Sequence, residues 1–230
     1  MNLAIGQICR WHCQTDLHDL LTGLRDAIGE RAKQAIELRG EFTIVLAGGS
    51  TPKALYELLP ALNTDWSRWQ IYFGDERCLP VGDVDRNDTM AMQSWLAKVP
   101  IPAAHIHCIA AEQFQQAAVD YAAQLESVDK FDLVLLGVGE DGHTASLFPG
   151  DNTGFDHTAA AIFITDSPKP PPQRITLSAQ RLSRANAVWF LATGSGKRDI
   201  LQRWRSGEEL PVAKIKPPAG VDIFTDQFFD

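Results

Sequence analysis

Four short segments carry side chains able to do chemistry on a small anionic substrate. Asp141-Gly142-His143-Thr144 places a carboxylate two residues before an imidazole. An imidazole with a reference pKa of about 6.5 takes a proton from water at neutral pH, and a nearby carboxylate fixes its tautomer. His143 is therefore the candidate general base, with Asp141 or Asp75 as the carboxylate beside it. Gly48-Gly49-Ser50-Thr51-Pro52 has the make-up of a phosphate loop. Its glycines let backbone N–H groups approach an anion, its hydroxyls add donors, and a following helix would present its positive end. Arg77 and Lys197 are the candidate cations, with Arg174, Arg86 and Lys53 weaker ones. Taken singly, the glycine segment also reads as a capped tight turn, and each cation as a solvated surface residue.

What unites these groups is the elements that must carry them. Leu17, Leu20, Leu21, Leu24, Ile28, Ala32, Ala35 and Ile36 recur at helical spacing and predict a helix over 15–40, with Thr15 as N-cap and Gly40 as stop. Segment 42–47 reads as a buried strand closed by Gly48-Gly49. Thr51 then caps, and Pro52 opens, a helix over 53–59. The same grammar recurs with a strand over 70–73 ending in Gly74-Asp75-Glu76-Arg77 and a helix capped by Asn87 and running to Trp95 and Lys98. A short strand over 105–109 precedes a helix over 111–125. The apolar strand over 131–136 ends in the histidine loop, and one over 187–192 ends in Thr193-Gly194-Ser195-Gly196-Lys197 and a helix through Trp204. The stiff run Pro168-Lys169-Pro170-Pro171-Pro172-Gln173 shapes a loop at the sheet edge, ahead of a strand over 174–177.

Apolar strands alternating with helices predict an α/β fold, a single domain over 1–230 with a mainly parallel, twisted sheet and helices on both faces, Rossmann-like in layout. Parallel topology gathers all strand carboxyl ends on one side, where ligands bind. The distant groups named above therefore converge.

The chain has 230 residues and a net charge of −8, from 21 basic and 29 acidic side chains. That balance argues against nucleic acid or an anionic membrane as partner, since both need a broad basic field. At 45% hydrophobic and 22% charged, the composition supports a sizeable core. Cys9, Cys13, Cys78 and Cys108 lack the pairing of a disulfide framework or a zinc site and read as reduced, mostly buried thiols. The N-terminus lacks the basic and apolar regions of a signal peptide, and no apolar run approaches the roughly 20 residues of a membrane span. A soluble cytoplasmic protein is expected.

Three suggestive patterns fail on their own terms. Gly137-x-Gly139-x-x-Gly142 matches a dinucleotide fingerprint, but Glu140 and Asp141 would face the pyrophosphate, and no capped helix opens from Gly142. Gly194-Ser195-Gly196-Lys197 lacks the spacing of a triphosphate loop and the hydroxyl after its lysine. His105-x-His107 has no third ligand at helpful spacing, so it reads as structural and no metal is expected.

With these residues in hand, the sequence resembles the 6-phosphogluconolactonases of the glucosamine-6-phosphate isomerase/deaminase-like superfamily. The likeness rests on the run from Leu46 through Tyr56, on Gly74-Asp75-Glu76-Arg77 with Asn87, and on the run from Asp132 through Pro149. Pro171-Pro172-Gln173-Arg174-Ile175-Thr176 and Gly194-Ser195-Gly196-Lys197 extend it, so that it covers about Phe42 to Asp226. It implies the isomerase/deaminase-type fold and hydrolysis of a sugar-phosphate lactone, 6-phospho-D-glucono-1,5-lactone, without metal or organic cofactor. On this footing His143 would activate water, while Asp141 and Asp75 would orient it or hold sugar hydroxyls. Gly49, Ser50, Thr51, Arg77 and Lys197 would bind the phosphate, with Arg174 a further candidate. Amides of the glycine loops are the expected oxyanion donors.

The likeness has departures. The amino-sugar phosphate deaminases carry asparagine and glutamate where this chain has Leu147 and Phe148, which weakens the alternative of an isomerase/deaminase. A non-catalytic sugar-phosphate sensor would need a DNA-binding module, for which the sheet domain leaves no room. Arg86 stands where the lactonases usually have serine, and Phe224-Thr225 where a tryptophan-leucine pair is common.

Overall fold

Strands without a polar face need cover on both sides, and that requirement organises the molecule. A computed structural model describes residues 6–151, 153–155 and 158–229. The first five residues of the segment read for a leader, and both ends of the expected 1–230 domain, lie outside the described residues. The strands are β1 (Cys9–Cys13), β2 (Phe42–Leu46), β3 (Trp69–Phe73), β4 (Asp75–Arg77), β5 (Ile106–His107), β6 (Leu133–Gly137), β7 (Ala161–Ile164), β8 (Arg174–Leu177), β9 (Val188–Ala192) and β10 (Val221–Thr225). The α-helices are α1 (Leu17–Arg39), α2 (Ser50–Tyr56), α3 (Asn87–Ser94), α4 (Gln115–Gln124), α5 (Ala179–Ser183) and α6 (Arg198–Arg205).

Among the described residues, seven strands form one parallel sheet in the order β1-β10-β9-β6-β2-β3-β5. Every residue of β2 and β9 is buried, as is all of β6 but Gly137. Register is fixed at the centre, where Val45 faces Val134 on one side and Tyr72 on the other. The order runs outward in opposite directions from β2 and β6. That pair is the switch point of the sheet, beyond whose carboxyl end a crevice must open.

The helix ends differ in detail from the periodicity reading. Asp16, not Thr15, caps α1, its carboxylate accepting the Asp19 N–H at 2.9 Å, while Gly40 closes the helix in the left-handed region at φ +83°. Helix α2 starts at Ser50 with Gly49 at the cap position, so Thr51 lies inside the helix. Asn87 is likewise the first residue of α3 and not its cap, and α3 stops at Ser94. The helix expected over 111–125 is broken at Phe114, which has φ +52°.

A second sheet is the larger departure. Gly74-Asp75-Glu76-Arg77 was expected to be a loop, but Asp75–Arg77 is a strand, β4, in the antiparallel order β4-β8-β7. Three consecutive charged residues have no strand signature of their own; pairing with Thr176, Ile175 and Arg174 of β8 makes them one. The thiols are also less buried than expected. Cys108 is exposed and the other three are half-buried, because Cys9 and Cys13 lie on edge strand β1 and Cys108 follows edge strand β5. No helix among the described residues is long and apolar enough to cross a membrane.

Candidate active site

At the switch point lies an open cleft of about 320 Å³. The loops after β2, β6 and β9 reach it, as does β4, which follows β3. Gly48, Gly49, Ser50, Thr51, Asp75, Arg77, His143, Arg174 and Lys197 all line it, so sequence-distant candidates meet in one place. Asp141 does not line the cleft but stands behind His143. Lys53 is exposed outside it, so that weaker candidate is withdrawn.

Arg86 is also withdrawn, for a physical reason. It is 2% exposed and forks onto Asp88, with bonds of 2.9 and 2.6 Å, while Nη1 reaches Glu112 at 3.1 Å. Its remaining donations go to the Leu79 and Ile109 carbonyls. A guanidinium so fully engaged has nothing left for a substrate. Phe224 stacks on His12 and packs on Trp189, and neither it nor His107, which bonds Gln70, lines the cleft.

The histidine loop folds around its own glycines. Gly139 N–H donates to the His143 carbonyl at 2.8 Å and Gly142 N–H to the Gly139 carbonyl at 3.0 Å. Gly142 sits at φ +82°, a conformation that favours glycine. No helix opens from it, so the loop lacks the geometry of a dinucleotide turn. The folding also narrows an expectation: of the glycine-loop amides, these two are already used within the loop. The first-turn amides of Ser50 and Thr51 in α2 have no intrahelical acceptor, and both residues line the cleft.

His143 Nδ1 lies 2.5 Å from Asp141 Oδ1, which also accepts the His143 backbone N–H at 3.2 Å. Asp141 is thus the partner of His143, and Asp75 is not. A carboxylate at Nδ1 selects the tautomer with Nδ1–H as donor, which leaves Nε2 as the basic nitrogen. Phe148 packs against the ring at 4.8 Å. Burial pulls His143 below the ordinary histidine value, outweighing the opposite pull of Asp141 and Asp75, with the Lys169 charge adding to the fall. Burial pushes the Asp141 carboxyl up, but its bond to His143 and the nearby positive charge hold it below its usual value. The resting state is a neutral imidazole on a carboxylate.

Asp75 faces the cleft from β4 and is held by others. Ser146 Oγ donates to Oδ2 at 2.6 Å, and Asn87 Nδ2 donates to Oδ1 at 3.1 Å and to the Asp75 carbonyl at 2.8 Å. Asn87 also explains Gly48: a Cβ on that glycine would fall 2.0 Å from Asn87 Oδ1. Glu76, next to Asp75, is fully buried and accepts the backbone N–H groups of Arg77, Asn87 and Asp88, each at 2.8 Å. It thereby caps α3 from outside.

The cations divide into two kinds. Arg77 donates through Nη1 to the Asp85 carbonyl and has no partner for Nε or Nη2 among the described residues. Lys197 is half-buried, and burial holds its pKa below the usual lysine value. Thr51 and Thr193 join their two loops through a 2.7 Å hydroxyl contact, and Asp226 accepts the Gly194 N–H at 2.9 Å. Arg174, by contrast, gives Nε and Nη2 to the carbonyls of Pro171, Pro170 and Lys169. In the sequence Lys169 reads only as part of a proline run, yet it lines the cleft. Ser146, Thr193 and Asp226 go unmarked there as well, since a single hydroxyl or carboxylate in a loop carries no signal of its partner.

A sequence model described as glucosamine-6-phosphate isomerases/6-phosphogluconolactonase matches residues 15–224. A rat 6-phosphogluconolactonase is 38% identical over 217 residues, covering 88% of this chain and 84% of the relative. Among solved structures, 6-phosphogluconolactonase from Thermotoga maritima superposes with a TM-score of 0.88 at 25% identity, covering 95% of this chain and 99% of that one. The Trypanosoma brucei 6-phosphogluconolactonase gives 0.82 at 26% identity, with coverage of 95% and 96%.

Proposed function

The chain belongs to the glucosamine-6-phosphate isomerase/6-phosphogluconolactonase family, and from that membership and the chemistry of the cleft we propose that it hydrolyses 6-phospho-D-glucono-1,5-lactone to 6-phospho-D-gluconate, a step of the oxidative pentose phosphate pathway. The observation that carries this reading is the Asp141–His143 pair, 2.5 Å apart, with His143 opening onto the cleft that the N-terminus of α2 also lines.

The substrate phosphate sits against the open amides of Ser50 and Thr51 and the free donors of Arg77 and Lys197, with Gly48 and Gly49 allowing close backbone approach. Asp75, fixed by Ser146 and Asn87, accepts from sugar hydroxyls. Nε2 of His143 removes a proton from water as the water oxygen bonds to the lactone carbonyl carbon, and the carbonyl π electrons move to its oxygen. Collapse of that oxyanion breaks the bond to the ring oxygen, which takes the proton back from Nε2–H. The new carboxylic acid loses its proton to solvent. Asp141 holds the ring and stabilises its transient charge without itself being protonated. In this reading the whole chain acts as one sugar-phosphate-binding domain of a cytoplasmic enzyme, with no part for nucleic acid or membrane.

Phe148 separates this reaction from amino-sugar deamination. It is buried against the His143 ring, where the deaminases place a carboxylate, so the acid/base relay for ring opening is missing. The test is to generate the lactone freshly and follow its loss with and without the protein, alongside ammonia release from glucosamine 6-phosphate. Lactone loss above the spontaneous rate without ammonia supports the proposal. Ammonia release without lactone loss refutes it.

A further inference from the structure

Lys169 has no part in the mechanism above, yet its backbone is held in place and its ammonium stands beside the Asp141–His143 pair. Its Nζ stands 3.9 Å from Asp141 Oδ2, the oxygen not bonded to His143, and it lines the same cleft. The loop that carries it is tied at every turn. Ser167 N–H donates to the Pro172 carbonyl at 2.9 Å, and Ser167 Oγ donates to the Lys169 carbonyl at 2.9 Å. The buried Arg174 guanidinium then clamps three consecutive carbonyls, of residues 169, 170 and 171, at 2.9 to 3.2 Å.

That clamp is itself seated on the active site. The Arg174 guanidinium lies 5.7 Å over the Phe148 ring, and Phe148 packs on His143. A closed circuit of contacts therefore runs His143, Phe148, Arg174, Lys169, Asp141 and back to His143. The chemistry also leaves a need that this circuit meets. Gly139 and Gly142, the nearest glycine amides to the base, already donate within their own loop. Negative charge developing on the lactone carbonyl oxygen thus finds neither of these two amides free.

We propose that Lys169 is a catalytic residue whose ammonium donates to the oxyanion formed when water adds to the lactone carbonyl, and that Arg174 is the positioning residue that aims it. The ammonium keeps its proton throughout; it stabilises charge and transfers nothing. A preorganised cation in a half-buried cleft is worth most at the moment the charge appears. The assignment rests on the lactonase reading. It moves Arg174 from phosphate ligand to clamp.

The test compares wild type with Lys169→Met, Lys169→Arg and Arg174→Gln on freshly generated lactone, reading kcat, KM, the pH profile and inhibition by inorganic phosphate. Lys169→Met should lower kcat by about 10²-fold, as loss of an oxyanion donor does, while KM and phosphate inhibition stay near wild type. The charges facing His143 are those of Asp141, Asp75 and Lys169. Removing the positive one raises the pKa of His143, so the acid limb of kcat/KM should move to higher pH. Lys169→Arg should restore the position of that limb and part of kcat, and Arg174→Gln should reproduce the kcat loss. A raised KM with weakened phosphate inhibition and intact kcat would make Lys169 a phosphate ligand and overturn the assignment. Unchanged kinetics in Lys169→Met beside an active wild type would overturn it alone, whereas an inactive wild type would remove the lactonase reading with it.

Discussion

The space beside the Gly139 Cα is filled by the ring of His143. A Cβ at residue 139 would lie 2.0 Å from His143 Nδ1 and 2.7 Å from Asp141 Oδ1, so the glycine is what lets the base and its carboxylate meet. Gly139 is not among the residues with positive φ, so alanine is sterically excluded by the dyad and not by the backbone. Gly139→Ala should therefore cost about 10²-fold or more in kcat through loss of base catalysis. Its cost in stability should be only the roughly 1–3 kcal/mol of local overpacking. Activity and thermal unfolding measured on one preparation check the split. A variant that keeps near wild-type turnover would mean that the dyad is not the catalytic element.

The neutral resting state of His143 sets the pH dependence. The base works when unprotonated, so kcat/KM should fall as pH drops through its pKa. Burial places that pKa below the ordinary histidine value of about 6.5, and the acid limb should lie there. Asp141→Asn should reduce kcat/KM by about 10²–10⁴-fold, because an amide at this site no longer selects the productive tautomer. A pH–rate profile of the two proteins decides the point; an acid limb near 8 in the wild type would contradict the neutral-base assignment.

Substrate binding should separate from chemistry at the other cations. Arg77→Met and Lys197→Met each remove a charged hydrogen-bond donor, worth about 1.5–3 kcal/mol, or roughly 10–150-fold in affinity. The effect should show mainly in KM and in weaker inhibition by inorganic phosphate, and should shrink at high salt. Unaltered phosphate inhibition in both variants would place the anion elsewhere.

Arg86 gives a prediction about stability. Its guanidinium is almost fully buried against Asp88 and within 3.9 Å of Glu76, which caps the helix whose Asn87 holds Asp75. Arg86→Met leaves these carboxylates without their counter-charge, at a cost of about 3–5 kcal/mol. Chemical denaturation should report that loss. A change within 0.5 kcal/mol would show that the cluster does not depend on Arg86.

Most of the parallel sheet was legible because its central strands are apolar on both faces and punctuated by glycine. From that topology alone the convergence of Ser50, Asp75, Arg77, His143 and Lys197 followed, and the cleft holds all five. Asp75–Arg77 was illegible as a strand because only its partner β8 makes it one. Whether Asp75 or Asp141 serves His143 turned on a side-chain rotamer and a loop fold, neither of which has a period. Lys169 stayed hidden among prolines because its meaning lies in Arg174 and Asp141, reached only through three-dimensional contacts. Arg86 misled in the opposite direction, since a lone arginine on a loop gives no sign of three carboxylate neighbours, two of them buried.

The central claim is that His143 activates water for attack on a phosphorylated lactone. Its most direct test is the rate of loss of freshly generated 6-phosphogluconolactone at pH 7, minus the spontaneous rate, for wild type and His143→Ala side by side. The account predicts a clear excess for wild type and loss of at least about 99% of it in the variant, the range expected for removing a general base. An excess that survives the substitution, with the variant folded, would contradict it.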